Sequence, residues 1–394
     1  MKTTNALSPI LVLTLSVLFI GCSSSTSDEK TESQESINYN LVKVDSFQVD
    51  NFTRVVIRDF SPEENIYLGY SIIEDDILEI SPSGEILKRV NRKGEGPELY
   101  GTWNPIGLGF GPDNLRIVEL PFMLAAYNPD YEMEYSHRIQ SPLPIRANMP
   151  LGTPPYYQKN DTTLLLVGPS NYLTASYLIR NQEGKDTLQN FYQLNLQTGD
   201  VKSVVPYDEN SIYTKSQGIF PELMGKTFFI DHSKNELVLV QNLDPEILVY
   251  DLDGLTLKNR IPVSYSEFLR YDPVSIETSP ADESTMPSKR LAAKNQKLVN
   301  LGNGIYLLQY FTGITEAEFE ARNSEDDPYN GQFDTEEQRL IIFKNGTQVG
   351  SELPGIKGNI ILTLPNQKIL VQEPENSEIE EEFTRFSIYE LQNE

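Results

Sequence analysis

A short β-run, a tight turn and a second apolar run follow one another at six places in this chain: 54–58 then 66–70, 105–110 then 115–119, 155–158 then 163–167, 227–230 then 236–241, 297–300 then 304–310, and 360–364 then 368–372. Each pair is followed by another hairpin. The stretch 77–101 shows it at its clearest, with a strand over 77–80, a turn at Ser83-Gly84, a strand over 86–90 and a glycine-rich loop through Gly94-Glu95-Gly96-Pro97. Thr198-Gly199, Asp253-Gly254 and Asn345-Gly346 mark the corresponding turns further on. Such dipeptides are hairpin signals because glycine reaches the positive φ that the turn requires.

The second strands begin near residues 66, 115, 163, 236, 304 and 367, at spacings of 49, 48, 73, 68 and 63. Four strands per unit, at a minimum near 48 residues, is the arithmetic of propeller blades, with insertions in the later units. The sixth unit runs out after a β-run at 383–391, one strand short, while an unpaired run at 41–49 stands at the other end. Pairing the two would complete a sixth blade and protect both sheet edges. The expected fold is therefore all-β: a six-bladed propeller of four-stranded blades, closed by its terminal strands. Two stretches have helical character, 287–298 (PSKRLAAKNQKL, basic) and 315–323 (TEAEFEARN), and both are expected as short helices in rim loops.

The N-terminus reads as an address. Lys2 precedes an apolar run over 6–20 that is too short for a confident membrane span and ends in Leu18-Phe19-Ile20-Gly21-Cys22. This resembles a bacterial lipoprotein signal, in which a small residue precedes a cysteine that is lipidated and becomes the mature N-terminus; Phe19 stands where Leu is usual. Cys22 is the only cysteine, so an intrachain disulfide and a thiolate metal cluster are both excluded. The polar segment that follows, SSSTSDEKTESQES, reads as a tether. Three regions are expected: a signal over 1–21, a disordered tether over 22–39 and the propeller over 40–394.

These features together resemble the six-bladed β-propeller lipoproteins of Bacteroidota, whose blades are similar to TolB and NHL-type propellers. The resemblance rests on the lipoprotein start, the Gly-Glu-Gly-Pro-Glu loop at 94–98 and the repeated turn followed by Leu-Arg-Ile-Val, as at 115–118. It covers most of 41–391, implies an envelope location at the outer membrane or cell surface, and carries no catalytic residue across.

In such a meander the turns between first and second and between third and fourth strands share one face. The long segments 91–104, 141–154, 168–190, 206–226, 264–296 and 311–338 all fall on the other. Long loops gathered on one rim are expected to form a binding face. They carry Arg92, Lys93, Glu95, Tyr100 and Trp103, then Arg146, then Tyr172, Tyr177 and Arg180, then Tyr265, Phe268, Arg270 and Tyr271. Arginine beside aromatic rings suits stacking and carboxylate recognition on peptides or acidic sugars.

The formal charge of −25 repels phosphate backbones, which argues against a nucleic-acid partner. With two histidines, His137 and His232, neither a His-based zinc site nor a serine triad is supported. No G-x-S-x-G elbow, H-E-x-x-H or phosphate loop is present, so no metal, cofactor or catalytic residue is assigned. The expected protein is a lipid-anchored envelope component whose propeller binds a protein partner or an extracellular polymer. The alternative is a propeller hydrolase or lyase acting on glycans or peptides, with Glu95 and Glu98 as candidates.

Overall fold

The computed structural model describes residues 38–139, 151–167, 181–188, 190–279, 281–326, 328–376 and 381–393. The signal over 1–21, Cys22 and nearly all of the tether lie outside them, as do Arg146, Tyr172, Tyr177 and Arg180.

The described residues form a six-bladed β-propeller. The chain opens with β1 (Tyr39–Asp50) and then lays down the first blade as β2 (Val55–Ser61), β3 (Ile66–Ser71), β4 (Asp76–Ile80) and β5 (Ile86–Asn91). The second blade is β6 (Gly107–Phe110), β7 (Arg116–Leu120), β8 (Met123–Tyr127) and β9 (Met133–Arg138). The third is β10 (Tyr156–Lys159), β11 (Thr162–Val167), β12 (Phe191–Asn195) and β13 (Val201–Val204). β14 (Lys226–Asp231), β15 (Glu236–Gln241), β16 (Glu246–Asp251) and β17 (Leu257–Pro262) make the fourth, and β18 (Lys294–Gly302), β19 (Ile305–Phe311), β20 (Gln338–Lys344) and β21 (Thr347–Pro354) the fifth. In the sixth, β22 (Asn359–Leu364), β23 (Lys368–Gln372) and β24 (Phe383–Asn393) are joined on the outer edge by β1. That ladder runs from Tyr39 opposite Asn393 to Asp50 opposite Phe383, so the N-terminal strand closes the ring as its sequence position required.

Why the ring holds together is visible in the burial patterns. Middle strands are buried along their whole length, as in β3, β7 and β19, because each faces a neighbouring blade on both sides. The outer strands β5 and β9 alternate half-buried and exposed positions, since one of their faces meets water. The apolar side chains then segregate into one cluster per blade interface. Leu68, Leu108 and Val118 join blades one and two; Ile117, Leu165 and Leu194 join two and three; Leu166, Phe191 and Leu239 join three and four. Val240, Leu308 and Phe343 join four and five; Leu307, Ile342 and Val371 join five and six; Ile57, Leu78 and Leu370 close six onto one. Each fully buried aliphatic side chain contributes about 1.5–3 kcal/mol, so the six interfaces are the structural core.

The connections are sorted by face. At one end none of the loops within a blade exceeds five residues, while the other end carries the segments 92–106, 205–225, 263–293 and 312–337. Two smaller clusters pin this longer rim: Tyr207, Tyr213, Phe220 and Leu243, and then Leu291, Phe311 and Ile314. The helix expected over 315–323 is present as Glu316–Arg322, started by a Thr315–Glu318 capping box. The one expected over 287–298 is a correction. Only Pro287–Leu291 is helical, in a single π-type turn that ends at the extended Ala292, and the residues from Lys294 onward belong to β18, whose pairing with β19 overrides their local helical preference. Two further helices, Gln182–Leu188 and Ile212–Lys215, were not legible beforehand. Among the described residues no helix is long and apolar enough to cross a membrane.

Candidate functional site

Three inner strands share a local irregularity. In β2 the register shifts between Ile57 and Asp59, leaving Arg58 as an extra, unpaired residue. In β18 the shift between Asn295 and Lys297 does the same to Gln296, and in β22 the shift between Ile360 and Leu362 does it to Ile361. A β-bulge of this kind bends the strand and re-aims the extra side chain. The inner strands β6, β10 and β14 pair without such a shift. The bulged strands belong to blades five, six and one, which are consecutive around the ring.

All three extra residues face one cavity of about 920 Å³ on the long-loop end of the molecule. Its floor is the start of β2, β18 and β22 (Arg54, Val56, Arg58, Lys294, Gln296, Lys297, Asn359, Ile360 and Ile361) and the end of β19 and β23 (Gln309, Phe311 and Gln372). Its wall is the long insertion between β19 and β20 (Phe319, Asn323, Pro328, Tyr329, Asn330, Gly331 and Gln332) together with Lys289 and Arg290 of the π turn. Ile72, Leu151 and Asn242 complete it. The wall is held by a compact network: Arg322 pairs with Asp334 at 2.8 Å and Glu337 at 3.0 Å, and the Tyr329 hydroxyl donates to Asp334 at 2.8 Å. Phe319 meets Tyr329 edge to face, and the Arg290 guanidinium lies over the Phe319 ring. Gln338 Nε2 donates to the Gly331 carbonyl at 2.6 Å, which fixes the return of the insertion to the sheet.

The electrostatics of this cavity run against those of the molecule. Arg54, Arg58, Lys289, Arg290, Lys294 and Lys297 line it, and no carboxylate stands among the described lining residues. Burial, followed by repulsion from Arg54, lowers the Arg58 guanidinium to about 10, and its Nε has no hydrogen-bond partner. Burial, with Arg58 as a second like charge, brings Lys297 down to about 8. Its Nζ donates to the Ile361 carbonyl at 3.0 Å, so a lysine of one blade reads the bulge of the next. Burial also lowers Lys294. Arg54 has a carboxylate partner in Glu375 at 3.3 Å, but both side chains are largely exposed, and such a pair neutralises little. With the Gln372 amide turned to present its oxygen, Arg54 also donates to it from Nε at 3.0 Å and Nη2 at 3.2 Å.

Of the residues expected to form the binding rim, those that are described stand elsewhere on the same end, and none of these lines the cavity. Arg92 donates to the Tyr131 carbonyl at 2.8 Å, and Lys93 pairs with Asp75 at 2.8 Å and Asn104 at 2.6 Å. Tyr100 is buried between blades one and two, 3.5 Å from the Tyr70 hydroxyl. Trp103 is half-exposed and packs edge-on against Phe122. Tyr265 is ringed by Phe268 and Tyr310 and donates to Asn295 at 2.9 Å; Arg270 reaches the Leu243 carbonyl and Tyr271 the Ile314 carbonyl. Glu95 is exposed, and Glu98 accepts from the Met133 backbone amide; neither lines the cavity. Arg54 and Arg58 were read only as strand residues, Lys294 only as part of the expected helix over 287–298, and Lys297 as both. One signal could have found them: cations at the head of strands that the repeat assigns to the innermost, most enclosed position.

No protein-family model matches the chain, and no curated protein matches it. Among solved structures it is similar to a member of the DUF4221 family from Bacteroides vulgatus, with 14% identity, a TM-score of 0.60 and coverage of 91% of this chain and 100% of that one. A protein from Bacteroides fragilis whose export is inferred aligns over 93% of this chain and 97% of its own, at 10% identity and a TM-score of 0.47. A protein of unknown function from Bacteroides caccae aligns over 76% and 82%, at 10% identity and a TM-score of 0.40. At these identities the first likeness speaks to the fold alone.

Proposed function

We propose that this protein is a lipid-anchored component of the bacterial cell envelope whose propeller serves as a binding module for an extracellular polymer. The observation that carries the reading is the cavity of about 920 Å³ open at the long-loop end, a volume in the range of small-ligand sites. The inner strands supply a rigid floor with Arg58, Lys294 and Lys297, and the loops at one end supply the wall. The address comes from sequence: Lys2, the apolar run and Gly21-Cys22 make Cys22 the lipidated residue, and the polar tether over 23–36 holds the propeller clear of the membrane. The surface-facing, outer-membrane location belongs to the same reading.

Two measurements test it. Cys22→Ser should move the protein from the membrane fraction to the soluble fraction and abolish labelling by a radioactive fatty acid. The full chain should bind members of an array of extracellular polysaccharides and peptides, and Pro328→Trp, which places a bulky ring on the exposed lip of the cavity, should remove that binding. Binding that survives the plug would move the function to another face, and capture of a protein with no polymer binding would replace the polymer by a protein partner.

A further inference from the structure

We infer that the cavity takes an acidic oligosaccharide, with an anionic group of the sugar held between Arg58 and Lys297 where the three bulged strands meet. This rests on the binding-module reading and names its ligand class. The chain carries 57 Asp and Glu among 394 residues, so a random sample the size of the cavity lining would hold about three carboxylates. The described lining holds six cations and none. Such a segregation makes the cavity a local well of positive potential in a molecule whose net charge is −25.

The cations are also held in a way that the fold alone does not explain. Arg58 and Lys297 are drawn in from water, with Arg54 acting as a like charge on Arg58 and Arg58 on Lys297, yet the Arg58 Nε has no acceptor and Lys297 finds only a backbone carbonyl. Enclosed cations without a counter-ion are destabilising, and the bulge in β2 aims Arg58 at the space that Lys297 and the bulges of β18 and β22 also border. An anion entering that space supplies the missing acceptor. Arginine and a carboxylate or sulfate form charge-assisted hydrogen bonds, the strongest available to the site.

The remaining lining specifies a sugar rather than a bare anion. Amide side chains such as Gln296, Gln309 and Asn359 supply donors and acceptors together, as a polyhydroxylated ligand requires. Phe319 and Tyr329 offer apolar ring surface on the wall. A long polyanion would have to lie across the acidic exterior, which repels it; a short acidic chain, or the end of one, need not.

The probes are trigalacturonate, its fully methyl-esterified form and a sulfated trisaccharide, titrated calorimetrically into the full chain at 20 and 200 mM NaCl. The expected result is binding of an acidic trisaccharide at least tenfold tighter than the neutral ester, weakened several-fold by the higher salt. The two acidic arms decide between carboxylate and sulfate. Arg58→Gln should weaken the acidic ligand at least tenfold, whereas Lys202→Gln, an exposed change of equal charge on the third blade, should not. Equal affinity for acid and ester in the unaltered protein, a comparison that needs no variant to fold, overturns the inference and leaves the binding module standing. Failure to bind either acidic trisaccharide also overturns it, and the polysaccharide and peptide array then judges the parent reading separately.

Discussion

Two side chains in the second blade show how the propeller manages charge inside an apolar ring, and each yields a sharp expectation. Arg116 is almost fully buried; its guanidinium donates to Glu79 at 2.9 Å and Glu64 at 2.7 Å, and it lies over the Phe110 and Tyr131 rings. Blade two thereby grips two carboxylates of blade one. Removing one partner from a buried pair strands the other charge, at about 3–5 kcal/mol. Arg116→Ala should lose about that much in urea unfolding, while Arg89→Ala, whose pair with Asp76 is 40% exposed on the arginine side, should lose under about 1 kcal/mol. Glu119 is the converse case. Burial alone raises its carboxyl from 4.5 to about 8. A pKa raised on folding favours the protonated native state, so this residue contributes no penalty below pH 4.5 and an increasing one from there up to about pH 8. Near pH 7 the penalty is on the order of 3 kcal/mol. Glu119→Gln should therefore stabilise the protein at pH 7, and the gain should vanish by pH 4. A gain that is the same at both pH values would place its origin in packing.

At the scale of the element, the ring depends on a strand far from its partners in sequence. β1 pairs with β24 along its length; Phe47 stacks on Tyr67 at 5.4 Å and Phe386 at 5.2 Å, and Val49 is fully buried. The Gly84 turn of the first blade, at φ +92°, rests against the Gln48 carbonyl so closely that a Cβ there would collide with it. Phe47→Ala should cost about 3 kcal/mol, and removal of residues 1–50 should leave the β24 edge open and the protein prone to association. A truncated chain that stays monomeric and unfolds at the same urea concentration would show that the sixth blade does not need its fourth strand. The strands themselves were legible because each signal is local: a period of two, bounded by Ser-Gly, Thr-Gly, Asp-Gly or Asn-Gly. The sorting of long loops to one end followed from counting strands, because antiparallel order fixes which turns share a face. The segment 287–298 misled because Lys, Arg and Ala favour a helix in isolation, whereas the hydrogen bonds of β19 decide the conformation. The cavity was hidden for a different reason. Arg58, Lys297 and Ile361 are separated by hundreds of residues or by a blade, and a bulge, which breaks the alternation that sequence reading relies on, is what brings them together.

The whole molecule carries two opposed electrostatic features, and ionic strength separates them. The chain's net charge is −25, most of it on the propeller, and like charges repel one another more in the compact state than in the unfolded chain, so low salt destabilises the fold. Moving from about 10 to 150 mM NaCl shortens the Debye length from roughly 30 to 8 Å, less than the breadth of the ring, and screens most of that repulsion. The melting temperature in the absence of ligand should therefore rise by a few degrees over this range, followed by calorimetry or by the fluorescence of Trp103, the single tryptophan. The cavity behaves in the other direction, because its six lining cations attract an anion less strongly as salt increases. Stability and anion affinity are thus expected to have salt slopes of opposite sign. If sulfate raised the melting temperature no more than chloride at equal ionic strength, the rise would be general screening alone. If the Arg58→Gln variant lost only the part of the rise specific to sulfate, that part would belong to the cavity. A melting temperature that stayed flat or fell with added salt would mean that the acidic side chains are spaced widely enough around the six blades for their repulsion to be negligible, and the net charge would then bear on solubility and not on the fold.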